Sequence, residues 1–168
     1  MSMSRRRRAK QQQLWVNSAD LARSPGHPFY VKLNKLLAKH GFDEFVEDLC
    51  APFYAGKHGR PSVPPGVYFR MLLIGFFEGI DSERGIAWRC CDSMSLRDFL
   101  GYDATDRTPD HSTLSVIRQR LDLETHNEVF HWVLRVLAAN KLLKGKTIGV
   151  DGSTLEANAA MRSIVRRD

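Results

Sequence analysis

The thirteen residues from Gly66 to Glu78, GVYFRMLLIGFFE, are apolar at nearly every position. A helix that is apolar all round must be enclosed on most sides, by protein or by lipid. Length decides between the two. The longest apolar run, Val67 to Phe77, carries Arg70 and falls far short of the roughly 20 residues that span a bilayer. The segment therefore predicts a buried helix at the hub of a globular core, opened by Pro64 and Pro65 and closed by Gly79. With 168 residues and 43% hydrophobic content, the chain can bury a core of ordinary size.

Other helices are expected around this hub. Pro28 to His40 places Val31, Leu33, Leu36 and Leu37 at near-helical spacing before Gly41, and Asp43 to Tyr54 does the same with Phe45, Val46, Leu49 and Phe53. Residues 55–65, AGKHGRPSVPP, form a connector with a basic edge. Asp81 or Ser82 is placed to cap a helix carrying Ile86, Ala87, Trp88 and Cys91, and Ser95 to cap a shorter one ending near Leu100 and Gly101. A longer helix, from about Glu124 to Asn140, has Val129, Trp132, Val133, Val136 and Leu137 as its apolar stripe. His126 and His131 on it lie five apart, off the spacing that sets two ligands on one face, so they are read as surface or hydrogen-bonded histidines.

The charge is unevenly spread. Residues 1–23 carry six Lys/Arg against one acid, residues 24–140 thirteen against fifteen, and residues 141–168 six against three. Arg5, Arg6, Arg7, Arg8 and Lys10, followed by three glutamines, form a basic arm (residues 1–13) without an apolar stripe, expected to be disordered when free. Such an arm releases counterions from a phosphate backbone; a solubilising tail would look the same. No apolar stretch follows it in the manner of a secretory signal. Cys50, Cys90 and Cys91 are odd in number and lack CxxC spacing, so they are read as reduced thiols, and the expected compartment is the cytoplasm.

The segment Thr108 to Leu121 carries the most specific surface pattern. Thr108 or Asp110 can cap it, and Pro109 suits a first turn. At 100° per residue, Leu114, Ile117 and Leu121 fall within about 60° on one face, while His111, Ser112, Ser115, Arg118 and Gln119 occupy about 120° of the opposite arc. Those five side chains are of the kind that bond to phosphates and base edges. Together with the short helix ending near Leu100 they suggest a helix-turn-helix with an unusually long loop. An amphipathic helix with a solvated face would show the same pattern.

After Gly145 the chain changes character. Thr147, Ile148 and Val150 suit a short interior strand, and Asp151 follows it, with Gly152, Ser153 and Thr154 beyond. A carboxylate at the end of a buried strand suits Mg²⁺, which takes oxygen ligands and usually only one or two protein carboxylates. A turn or cap aspartate is the plainer alternative.

Several of these blocks occur together in one family. GRPSVPP (59–65), FFEGIDSERGI (76–86), DSMSLRDFLGYD (92–103), TPDHSTLSVIRQRL (108–121) and IGVDGSTLEANAAMRSIVRRD (148–168) resemble, in order and spacing, the DDE transposases of bacterial insertion sequences. The resemblance covers roughly residues 14–168. It implies a mainly α fold: a helical DNA-binding and assembly domain over 14–143, then the first strand of an incomplete α/β RNase H-like catalytic domain over 146–168. It also implies that Asp151 is the first carboxylate of the catalytic triad and a ligand of Mg²⁺ (or Mn²⁺). The second Asp and the final Glu of the triad are not matched, and Asp168 takes neither role, so this chain is expected to be catalytically incompetent alone and to hold no metal stably. The implied partners are DNA at the element's ends and a second copy or a full-length transposase. The implied function is the N-terminal part of a transposase that cleaves and transfers DNA strands. The alternative is a non-catalytic fragment that regulates by binding DNA or pairing with the full enzyme.

Overall fold

The computed structural model describes residue 17 and residues 26–55 and 61–141. Among these residues there are seven α-helices and no strand: α1 Pro28–Lys39, α2 Phe42–Cys50, α3 Pro65–Glu78, α4 Glu83–Asp92, α5 Met94–Leu100, α6 His111–Arg120 and α7 Leu123–Ala139. A single 3₁₀ turn, Ala51–Phe53, extends α2. The basic arm and the strand expected near residues 146–150 lie outside the described residues.

The apolar segment that dominates the sequence is α3, and its first three turns are enclosed as expected. Tyr68, Phe69, Met71, Leu73 and Ile74 are buried there, and α3 packs against α2, α4 and α5. Pro65 opens the helix. Gly79 closes it with φ +66°, a left-handed conformation that costs a residue without Cβ nothing, and Ile80 N–H bonds back to the Gly75 carbonyl at 2.8 Å. Enclosure fails only at the last turn, where Phe76 is 67% exposed and Phe77 36%.

Arg70, the one charge in that run, is buried with only 7% of its surface exposed. Its guanidinium makes a bidentate pair with Asp43 of α2, at 2.5 and 2.8 Å, and bonds to Asn34 Oδ1 at 3.3 Å and the Gly66 carbonyl at 3.2 Å. It also lies 5.1 Å from the Phe42 ring centroid and 5.9 Å from that of Phe99. One residue thus ties α1, α2, α3 and α5 together. Gly66 is required beside it, because a Cβ there would overlap Asp43 Oδ1.

The remaining helices follow from caps and stripes. His27 caps α1 through Nδ1, Ser82 caps α4, and Asp122 caps α7 by accepting from Thr125 N–H at 2.8 Å, so α7 begins one residue earlier than its apolar stripe suggests. Ser95 does not cap α5. Ser93 does, accepting from Leu96 N–H, and the Ser95 hydroxyl instead accepts from His27 N–H at 2.5 Å, joining α5 to the start of α1. Two serines two residues apart are equally good caps by type, and tertiary contact chose between them.

On α7, Val129, Val133 and Val136 are buried, and Trp132 stacks on Phe45 of α2 with centroids 5.3 Å apart and planes inclined by 12°. His126 is a hydrogen-bonded histidine, one of the two readings that the sequence leaves open. Its Nδ1 lies 2.7 Å from the Asp122 carbonyl, which can only accept, so Nδ1–H donates there, and its Nε2 lies 2.9 Å from the Tyr68 hydroxyl. Glu78 links three helices, taking the Tyr30 hydroxyl at 2.9 Å and Arg89 Nε at 2.6 Å. Cys50 and Cys90 are buried free thiols and Cys91 is exposed. No helix of the described residues is long and apolar enough to cross a membrane.

Candidate nucleic-acid interface

The helix predicted to carry the surface pattern is α6. Asp110 caps it, accepting from Thr113 N–H at 2.8 Å and from the Ser112 hydroxyl at 2.8 Å. Those bonds, the Thr113 amide first, hold the Asp110 carboxyl below the usual carboxylate range. Pro109 sits before the cap and is buried, not in the first turn. Leu114 and Ile117 are buried at 0% and 1% exposure, and Leu121 closes the same face. The polar arc is therefore turned outward by an apolar anchor.

The ten residues from Gly101 to Asp110 between α5 and α6 exceed an ordinary helix-turn-helix turn. Arg97 holds them in place. This buried α5 side chain sends its guanidinium into the loop, where Nη2 donates to the carbonyls of Asp103 at 2.7 Å, Ala104 at 3.2 Å and Asp106. Asp103 N–H bonds in turn to Asp106 Oδ2 at 2.7 Å. Loop carbonyls that α-helices would satisfy internally are satisfied here by one cation, which fixes the entry to α6. The platform under α6 is α4, which packs on both α5 and α6. The arrangement is thus a three-helix unit of α4, α5 and α6.

The five side chains of the arc are not equally free. His111, Ser112, Arg118 and Gln119 are exposed and Ser115 is half-buried. Ser112 spends its hydroxyl proton on Asp110. Arg118 pairs with Glu83 in the first turn of α4, Nε to Oε1 at 3.1 Å. Geometry explains this partnership: Arg118 lies only about 40° from Leu114 around the helix, at the edge where α6 meets α4. Arg120 marks the other edge, its guanidinium 4.7 Å from the Tyr54 ring centroid. Sequence reasoning passed over Arg120, and Val116, which is 54% exposed, although their angles on the same helical wheel place both on the outward side.

Arg5, Arg6, Arg7, Arg8, Lys10 and Asp151 all lie outside the described residues. Among the described residues, no group of three or more His, Cys, Asp or Glu side chains is placed to hold a metal ion.

Residues 18–120 match the transposase domain family (DUF772), a span that runs through α6 and covers more than half of the chain. The chain belongs to that family. No curated protein and no solved structure matches it.

Proposed function

We propose that this chain is the DNA-binding part of an insertion-sequence transposase, and that α6 is the element laid against the duplex. The observation that carries this reading is the outward arc of His111, Ser112, Ser115, Arg118 and Gln119 within a transposase-family domain. Such side chains divide the work of DNA recognition: Arg118 serves a phosphate or a guanine edge, Gln119 an adenine edge, and the histidine and hydroxyls adjacent positions. The Arg118 and Glu83 pair is compatible with this. The Arg118 side chain is 53% exposed, so a phosphate reaches its guanidinium from solvent, while Glu83, only 18% exposed, competes for it more strongly than an exposed carboxylate would.

The basic arm, with Arg5, Arg6, Arg7, Arg8 and Lys10, adds sequence-independent attraction. Neutralising several phosphates makes affinity fall steeply with salt. In the domain plan that fits this reading, the arm occupies residues 1–13, the helical body 14–143, and the RNase H-like region begins at 146. There Asp151 would contribute the first carboxylate toward Mg²⁺ or Mn²⁺.

The test uses the full chain and duplexes taken from the DNA flanking its own gene, with shuffled duplexes of equal length as reference. Tighter binding to the flanking duplexes is the expected result. Equal affinity for both would limit the domain to non-specific binding, and no binding to either at low salt would end the proposal.

A further inference from the structure

A second surface lies away from the α6 arc and has the opposite chemistry. Phe29 of α1, Phe77 and Phe76 of α3 and Phe130 of α7 form a continuous row of rings, with successive centroids 4.9, 5.5 and 6.0 Å apart, all edge to face. All four are exposed, at 42%, 36%, 67% and 43%. Beside the row, a groove of about 160 Å³ opens between Phe69 and Leu73 of α3 and His126, Val129 and Val133 of α7, with Phe76 and Phe130 at its rim. No charged side chain lines it.

We infer that this face is a twofold interface between two copies of the chain, in which Phe76 of each enters the α3–α7 groove of the other. Three observations select a second copy over other occupants. A cavity of about 150 Å³ with apolar walls holds one benzene ring, so the groove suits a single phenyl group and is smaller than the roughly 300 Å³ of a typical ligand pocket. Projecting ring and receiving groove stand side by side on one face, which is what an isologous contact requires: each copy supplies both halves. Neither the groove nor the row of rings includes a lysine or arginine, so they offer a polyanion no ion pair. Its area is also adequate. The four rings expose the equivalent of nearly two whole phenylalanine side chains, about 300–500 Å², which makes the apolar centre of a footprint whose polar rim brings it toward the roughly 800 Å² per partner of a specific interface.

The inference is independent of the DNA reading and is tested without DNA. Sedimentation equilibrium of the nuclease-treated full chain over about 1–100 µM, the range a small interface of this kind calls for, should show a mass rising from 19.1 kDa toward twice that value. Phe76→Glu, which would carry a charge into the groove, should remain monomeric with an unchanged far-ultraviolet spectrum. Phe76→Ser, which removes the ring without adding charge, should weaken association at least tenfold. A wild-type chain that stays monomeric throughout the range overturns the inference, and so does a folded Phe76→Glu variant that associates like the wild type.

Discussion

The ion pair between Arg70 and Asp43 makes an asymmetric prediction. The Arg70 side chain is 8% exposed, whereas that of Asp43 is 46% exposed. Asp43→Ala strands a buried guanidinium, which keeps only Asn34, the Gly66 carbonyl and two ring faces. Breaking a buried pair from one side costs about 3–5 kcal/mol, and the remaining contacts place this case near about 3 kcal/mol. Arg70→Met is milder. The thioether fills the space between Phe42 and Phe99, and the half-exposed Asp43 turns to water. The loss is then mainly two cation–π contacts and the bonds to Asn34 and Gly66, about 1 kcal/mol. Urea unfolding followed by circular dichroism measures both. Asp43→Ala should lower stability by about 2 kcal/mol more than Arg70→Met, roughly a thirtyfold difference in the unfolding constant, and the double variant should resemble Arg70→Met. Equal losses, or a larger loss for Arg70→Met, would refute the argument that the stranded charge is the dominant cost.

Three further predictions concern proton release, thiol exposure and the charge at the α6 edge. Burial pushes the Cys50 thiol up to about 11, the Cys90 thiol up to about 12 and the Tyr68 phenol up to about 12. The folded chain therefore keeps protons that the unfolded chain releases from about pH 9 upward, so stability should fall from about pH 9 upward, as a series of urea midpoints would show; a midpoint that rises through this range would contradict the burial. In the same folded protein, Cys91 should react with a thiol reagent while Cys50 and Cys90 react only on unfolding. At the α6 edge, Glu83→Gln should tighten DNA binding a few-fold in an anisotropy titration, because it weakens the hold on Arg118 and removes a negative charge from the docking face. Unchanged or weaker binding would mean that Glu83 orients Arg118 rather than competing with the phosphate.

Much of this was legible in local pattern. The apolar spacing of α1, α2 and α7 and the near-uniform apolarity of α3 are local signals, and they placed the ends of those helices within a residue of those observed, except that α2 stops at Cys50 and gives way to the 3₁₀ turn Ala51–Phe53 before the expected end at Tyr54. What the sequence left open depends on partners distant along the chain. Arg70 looked like an interruption of an apolar run, and only the fold brings Asp43, 27 residues away, against it. Phe76 and Phe77 share their residue type with buried Phe69, so composition alone could not separate the exposed end of α3 from its enclosed middle. The arc on α6 was readable because a helical wheel needs nothing beyond α6 itself. The engagement of Arg118 by Glu83 was not, because it depends on how α4 crosses beneath.

The central claim is that the outward face of α6 meets DNA. Its most direct test is the salt dependence of duplex binding by the full chain and by Arg118→Ala, measured by fluorescence anisotropy between about 50 and 200 mM salt. The variant should bind more weakly across all sequences, with a log–log slope shallower by about 0.9, one phosphate contact fewer, while the arm's contribution stays constant. Identical affinities and slopes for the two proteins would contradict it.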